Sequence, residues 1–207
     1  MPTATVRSVH KRDAILRAAR DAFLRDGFAA GNLDDIAAAA KVSKVTIYSH
    51  FGSKENLFTS VLEWVIAARS TGGPPLDPGI DPSRLRAALT AIGLDVVQTV
   101  RSKEVVALRR VLIAEQPRHP SFAEAWRRAT TVATTAALGD YFAGLQQRGA
   151  ISDDADAGVV ASQFLWMLIG DSLDAGLLGG APRPPGARAT AQDAATTILR
   201  AYGTQPT

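Results

Sequence analysis

Residues 33–58 read LDDIAAAAKVSKVTIYSHFGSKENLF, and this stretch decides the fold. Asn32 and Ser43 each carry a short side chain whose oxygen can accept a hydrogen bond from the free amides at the start of a helix. Gly52 is suited to end a helix, because glycine adopts left-handed conformations without steric cost. The pattern therefore predicts two short helices joined by a tight turn, with the second helix ending at Phe51.

The spacing of Ala37, Val42 and Ile47 predicts how these two helices pack. The small Ala37 lets the helices cross closely, and Ile47 fixes the crossing from the second helix. The outer face of the second helix is then free to enter the major groove of DNA, so residues 32–51 are predicted to form a helix-turn-helix. The alternative is an ordinary helical hairpin within a core.

The predicted DNA contacts lie on and around this outer face. Lys44, Val45, Tyr48 and Ser49 occupy the face itself, and Val45 can touch a thymine methyl group. Lys54 stands at the start of a fourth helix, where the helix dipole also attracts a phosphate. For Tyr48 the alternative is packing within the protein, and for Lys54 it is a solvated charge. The full set of expected contacts is Ser43, Lys44, Val45, Thr46, Tyr48, Ser49, His50 and Lys54.

The rest of the chain is predicted to be helical as well. An amphipathic helix over residues 9–25 should stop at Gly27, so that Phe28 folds back onto its last apolar turn, and Ser53 should cap the fourth helix. Glycine and proline mark expected loops at 71–82 and 179–188, and further helices are predicted at 83–101, 103–114, 121–148, 154–178 and 188–202. The expected fold is all-α, with a helix-turn-helix domain over residues 1–53 and a helical domain over residues 54–207.

The positive charge is concentrated at the N-terminal end of the chain. The net charge is +3, yet residues 1–54 hold nine Lys and Arg against five Asp and Glu, whereas the remaining residues hold fourteen against fifteen. A basic segment attached to a nearly neutral one is typical of a module that binds a polyanion, although a solvated helix surface can show the same excess.

Several function classes find no support in the sequence. The chain has no cysteine, which excludes disulfides, cysteine-ligated zinc and thiol catalysis. It also has no His-Glu-x-x-His motif, glycine-rich phosphate loop or nucleophile elbow, so we expect no catalytic residue, no metal and no cofactor. An all-helical enzyme is the alternative from another class. No long apolar run suggests export or a membrane span, and we expect a cytoplasmic protein.

Residues 33–58, with the preceding Gly27 and Phe28, resemble the DNA-binding signature of the TetR family of bacterial repressors, above all in the combination of Thr46, Tyr48, Phe51, Lys54 and Glu55. The resemblance implies a homodimer whose two heads occupy successive major grooves of a partly palindromic operator. It also implies a C-terminal domain that dimerises and binds a small-molecule inducer. Residues 107–115, followed by Pro120 and Phe122, are similar to the AcrR-like branch of this family.

Two residues depart from the family pattern. Lys41 stands where the family usually has glycine, so a residue with a side chain must adopt a left-handed turn at a cost of roughly 1 kcal/mol. Val45 occupies a position that is variable or glycine in relatives. The first departure bears on the geometry of the turn, and the second bears on the operator sequence.

The helical domain offers candidates for dimerisation and for inducer binding. The last two predicted helices, 154–178 and 188–202, are apolar on more than one side, so they are expected to form the homodimer. The residues expected to bind an inducer are Trp64, Arg109, Trp126, Phe142, Phe164 and Met167. For the aromatic residues and Met167 the alternative is a place in the core, since aromatic residues at helical spacing are usually buried. For Arg109 the alternative is a place on the surface or in an internal pair. A domain that only dimerises or binds another protein remains open.

Overall fold

The computed structural model describes residues 4–70, 75–179 and 186–204, and within these ranges the chain forms ten α-helices and no β-strand. The helices are α1 (Ala4–Ala30), α2 (Leu33–Ala40), α3 (Lys44–Phe51), α4 (Lys54–Ser70), α5 (Leu85–Arg101), α6 (Lys103–Glu115), α7 (Pro120–Arg127), α8 (Ala133–Gln147), α9 (Ala157–Leu178) and α10 (Ala187–Tyr202). A 3₁₀ turn precedes α5, and a π-helical segment, Arg128–Val132, joins α7 to α8. The all-α prediction is confirmed.

The predicted helix positions agree with these bounds to within a few residues, with two exceptions. Helix α1 extends five residues beyond its predicted bounds at each end, and the single helix predicted over residues 121–148 forms as α7, the π-helical segment and α8. The loops expected at 71–82 and 179–188 fall partly outside the described residues, which omit 71–74 and 180–185. No helix in the described ranges has the length and the apolar character that a membrane span requires.

The chain divides into two compact units. We call residues 1–68 and 107–126 the head unit, and residues 69–106 and 127–207 the body unit. The head unit thus includes α4 and α7 in addition to the predicted helix-turn-helix. The expected boundary after Ser53 concerns a division of function, and it stays a prediction.

An aromatic cluster holds the head unit together. Gly27 interrupts α1 with a φ of 78°, which allows Phe28 to turn back so that its ring lies 5.8 Å from that of Phe23, as expected. Phe58 of α4 meets Phe23 edge-on at 5.2 Å, and Phe122 of α7 meets Phe28 at 4.9 Å. Each such pair contributes about 0.5–1.5 kcal/mol beyond the area that it buries. The cluster therefore fixes α1, α4 and α7 beneath the predicted DNA-binding helices.

The body unit has a separate core formed by α5, α8, α9 and α10. Its side chains are almost entirely apolar, with Leu89, Phe142 and Phe164 fully buried. Gly93 lies where α5 packs closely against α9 and α10, because an added Cβ there would lie 2.9 Å from Leu168 of α9 and 3.2 Å from Ala191 of α10. A larger residue at this position would require the Leu168 side chain to move and α10 to shift slightly.

Candidate nucleic-acid interface

The turn between α2 and α3 forms as the sequence predicts. Asn32 is the N-cap of α2, and its side-chain oxygen accepts a hydrogen bond from the amide of Asp34 at 2.8 Å. At the other end, the amide of Val42 donates to the carbonyl of Ala37 at 3.0 Å. Lys41 between them adopts a left-handed conformation, with φ 54° and ψ 44°, which confirms that a residue with a side chain occupies a position suited to glycine.

Helix α3 is held by a cap at its start and by buried residues along one side. The Ser43 hydroxyl oxygen accepts a hydrogen bond from the amide of Thr46 at 3.2 Å and lies 2.9 Å from the Thr46 hydroxyl. Ile47 and Phe51 are buried, as expected for the residues that fix the helix crossing. These contacts leave the opposite side of α3 without neighbours to cover it.

That opposite side is exposed to solvent. Val45 is 75% exposed and Tyr48 is 46% exposed, values that are high for large apolar and aromatic side chains. Lys44 and Ser49 are exposed too, and the Ser49 hydroxyl donates to the carbonyl of Thr46 at 2.8 Å. The alternative in which Tyr48 packs inside the protein is therefore not what the structure shows.

Lys44 forms an ion pair with Asp34 of α2. The Lys44 Nζ donates a hydrogen bond to Asp34 Oδ2 at 3.0 Å, and this hydrogen bond raises the pKa of Lys44. Both side chains are exposed, and exposed ion pairs are weak because water and salt screen them. Lys44 therefore remains charged and can exchange its carboxylate partner for a phosphate.

The ammonium group of Lys54 has contacts within the protein that the sequence did not predict. Its ammonium donates a hydrogen bond to the main-chain carbonyl of Ala29 at 3.0 Å and lies 4.9 Å from the centroid of the Phe28 ring. Partial burial lowers its pKa, while the charges of Glu55 and Glu115 oppose this effect. Lys54 is thus part of the packing of the head unit, and its contact with a phosphate stays a prediction.

Two further residues predicted to contact DNA, Thr46 and His50, are half-buried. The His50 ring lies 6.1 Å from the ring of Phe51, and the hydroxyl of Thr46 is engaged with Ser43. The structure adds Arg12 of α1, whose guanidinium carbon lies 5.4 Å from the Phe51 ring centroid, so a basic side chain stands at the C-terminal end of α3. The basic character of the N-terminal segment hinted at such a residue, but its position depends on how α1 packs against α3.

The candidates for inducer binding lie in different settings. Phe142 and Phe164 are fully buried in the body core, where their rings meet edge-on at 5.9 Å. In the head unit, Trp64 is half-buried, and the guanidinium carbon of Arg20 lies 5.7 Å from its ring centroid. Arg109 and Trp126 are brought together, with 5.5 Å between the guanidinium carbon and the ring centroid. None of these contacts establishes a bound molecule, so the assignments stay predictions.

The last candidate, Met167, lies on an exposed apolar face of the body unit. Met167 is 38% exposed and the neighbouring Trp166 is 51% exposed. Together with α10 they border an open cleft of about 380 Å³, lined by Gln163, Trp166, Met167, Thr197, Ile198, Ala201 and Tyr202. This cleft lies along the two helices that were expected to form a dimer.

Sequence comparison with known families matches both parts of the chain. The model of "Bacterial regulatory proteins, tetR family" matches residues 15–61, and the model of the "AefR-like transcriptional repressor, C-terminal domain" matches residues 87–204. The second match covers more than half of the chain. Neither match specifies the AcrR-like branch, so that finer likeness stays a prediction.

Curated relatives match over the N-terminal region. The chain is similar to the HTH-type transcriptional repressor NicS of Pseudomonas putida, with 47% identity over 57 residues that cover 28% of this chain and 27% of NicS. It is also similar to the HTH-type transcriptional repressor Rv3405c of Mycobacterium tuberculosis, with 46% identity over 50 residues that cover 24% of this chain and 27% of Rv3405c. The matched segment thus spans 27% of the length of each of these relatives.

Solved structures match over nearly the whole chain. A TetR-family transcriptional regulator from Mesorhizobium loti superposes with a TM-score of 0.77 and 25% identity, covering 96% of this chain and 99% of the other. The flavonoid-responsive regulator FrrA superposes with a TM-score of 0.76 and 28% identity, covering 95% and 98%. The all-helical fold of the described residues is therefore one that experimental structures already contain.

Proposed function

The chain belongs to the TetR family of bacterial regulatory proteins, and from this premise we propose that it is a repressor that a small molecule releases from a palindromic operator. Members of this family are transcriptional regulators and not enzymes. The observation that carries the proposal is α3, which is packed through Ile47 and Phe51 while its outer face stays exposed. A DNA target places the action of the protein in the bacterial cytoplasm.

Recognition of DNA combines a few base contacts with many phosphate contacts. Val45 and Tyr48 present apolar and aromatic surface that suits base edges and thymine methyl groups in the major groove. Lys44 supplies a charge for a phosphate, and Ser43 and Thr46 supply hydroxyl groups at the start of α3. Because long polar side chains are few on this face, much of the affinity comes from phosphate contacts and falls steeply with salt.

Dimerisation is proposed through α9 and α10. Trp166 and Met167 expose apolar surface on α9, and Val159 nearer its start is 49% exposed. At Gly170, also on the exposed side of α9, an added Cβ would meet no atom within 4 Å. A second copy seated on this face would cover these side chains and could approach closely at the glycine. The two heads would then occupy major grooves one helical turn, about 34 Å, apart.

Release requires a ligand that distinguishes two states of the dimer. A molecule with equal affinity for the DNA-bound and released states does not change the equilibrium between them. The effector must therefore bind more tightly to the state of the dimer in which the spacing of the two heads no longer fits the operator. The similarity to a regulator named as flavonoid-responsive supports a small organic effector. A body that only dimerises is the alternative, and an operator complex that no small molecule dissociates would favour it.

Selection of bound sequences from random duplex DNA tests the proposal. The purified full-length protein is incubated with the random pool at low salt, and bound duplexes are enriched and sequenced. We expect an inverted repeat whose half-sites are centred about one helical turn apart. A pool that yields no enriched sequence, or a single half-site without symmetry, would contradict the proposal.

A further inference from the structure

Arg109 of α6 is a buried cation in the head unit. Three polar side chains are buried among the residues that the structure describes, namely Arg109, Glu115 and Ser172, and Arg109 is the only cation of the three. Only 9% of the Arg109 surface is exposed to solvent. Its Nη1 atom has no hydrogen-bond partner in the described part of the chain. Such an atom requires an explanation, because buried polar groups are nearly always paired.

Deprotonation does not remove the cost of this buried charge. Burial lowers the pKa of the Arg109 guanidinium, and no nearby carboxylate acts against that effect. A guanidinium nevertheless remains protonated in proteins, so the charge persists. By contrast, the exposed Arg25 is paired with Asp26 at 2.7 Å. Glu115, the buried acid on the same helix, lies six residues further on, which places it about 9 Å along the helix axis.

Trp126 of α7 contacts Arg109 but does not accept a hydrogen bond from it. The guanidinium carbon lies 5.5 Å from the centroid of the Trp126 ring, a distance that allows a cation–π interaction. A ring contact of this kind supplies no oxygen acceptor. The Arg109 guanidinium therefore lacks a hydrogen-bond acceptor at its Nη1 atom among the described residues. Arg109 is therefore held in place for a partner that the described residues do not supply.

We propose that Arg109 binds the carboxylate of the effector, an apolar monocarboxylic acid. This inference rests on the proposed function, because it assigns a chemical class to the molecule that releases the operator. A carboxylate is planar and accepts two parallel hydrogen bonds from a guanidinium. Arg109 is the one buried cation among the described residues and so matches one negative charge, and Leu108 and Leu112, which are buried on the same helix, are apolar. The remainder of the molecule is accordingly apolar.

The experiment measures thermal unfolding of the full-length protein with paired probes. The acids are benzoate, phenylacetate and octanoate, and their neutral controls are benzamide, phenylacetamide and octanamide. Each is tested on the wild type, on Arg109→Met and on Arg110→Met. Arg110 is the adjacent exposed arginine on α6, so its substitution removes the same charge from the surface and serves as the matched control.

We expect at least one acid to raise the Tm of the wild type by about 5 °C or more at a hundredfold excess over its Kd, while its amide does not. Arg109→Met should weaken binding of that acid at least about tenfold, and Arg110→Met should leave it unchanged. Without any acid, Arg109→Met should unfold at the same or a higher temperature than the wild type, because it removes an uncompensated buried charge.

Three results would overturn the inference. One is a wild type that no acid of the set stabilises. Another is an Arg109→Met variant that keeps the effect of the acid. The third is an Arg109→Met variant whose Tm falls by more than loss of the Trp126 contact explains, since that fall would show that Arg109 has a hydrogen-bond acceptor within the protein. Operator binding is measured separately, so a failure of Arg109 is distinguishable from a failure of the proposed function.

Discussion

The ammonium group of Lys54, at the first residue of α4, donates a hydrogen bond to the main-chain carbonyl of Ala29 at 3.0 Å. Ala29 lies beyond the break in α1 at Gly27, where the chain turns toward α2. The same ammonium lies over the ring of Phe28. Lys54 therefore joins the start of α4 to the end of α1, and it has a structural role in addition to the phosphate contact predicted for it.

Lys54→Ala should affect both DNA binding and stability. If the ammonium also contacts a phosphate, binding to all sequences weakens and the slope of log K against log salt falls by about one. Loss of the bond to Ala29 should lower the free energy of unfolding by about 1 kcal/mol. Fluorescence anisotropy over a salt series and urea unfolding measure the two effects.

Lys103→Ala is the matched control for this variant, since Lys103 is exposed on α6 and its loss changes the charge equally. We expect it to leave both the salt slope and the stability unchanged. An unaltered salt slope in Lys54→Ala, combined with lower stability, would assign Lys54 a purely structural role.

Val45→Ala should change sequence preference and not stability. Val45 is 75% exposed, so its substitution removes little buried surface from the protein. If its methyl groups touch a thymine methyl, the variant loses roughly 1 kcal/mol of discrimination at one base pair of each half-site. Repeating the selection from random DNA with the variant measures this change. An unchanged consensus would remove Val45 from the set of base-contacting residues.

Lys41→Gly should stabilise the protein. Lys41 is the one non-glycine residue in the described ranges with a positive φ, and glycine removes the strain of roughly 1 kcal/mol. The greater freedom of glycine in the unfolded chain offsets part of this gain, so we expect a net increase of about 0.5 kcal/mol in urea unfolding. Lys41→Ala is the control, because it keeps the Cβ and should not be stabilised. A Lys41→Gly variant that is less stable than the wild type would show that the lysine side chain itself contributes to the turn.

Trp166→Glu should separate the dimer. The side chain is half exposed on the α9 face proposed for dimerisation, so a charge there is tolerated by the single chain but must be desolvated in the dimer. We expect the dissociation constant of the dimer to rise at least about a hundredfold, as measured by sedimentation equilibrium. Gln98→Glu, at an exposed position of α5, introduces the same residue elsewhere and should have no effect. A Trp166→Glu variant that stays dimeric would place the interface on another face.

Short-range sequence patterns were sufficient to predict the helix-turn-helix. Asn32, Ser43 and Ser53 cap the helices that follow them, because a cap depends only on residues two or three positions away. The left-handed turn at Lys41 followed instead from the resemblance, because the TetR family usually has glycine at this position. The caps were predictable because the energy terms that determine them act within a few residues.

Contacts between distant residues were not predictable in this way. Lys54 and Ala29 are separated by 25 residues, and their bond depends on how α1 and α4 pack. Phe142 and Phe164 illustrate a different limit, since an apolar residue at helical spacing suits a core and a binding pocket equally, and the structure places both rings in the body core. Arg109 was predicted from the sequence as one of six inducer contacts, and its unpaired Nη1 became evident only once the helices were assembled.

The central claim is that two copies of α3 enter neighbouring major grooves of one duplex. Sedimentation velocity of the full-length protein mixed with the selected duplex at low salt, combined with hydroxyl-radical footprinting, tests it most directly. The account predicts at least one pair of chains per duplex and, for each pair, two protected segments separated by about one helical turn. A monomeric protein that leaves the duplex unprotected and unshifted at low ionic strength would contradict it.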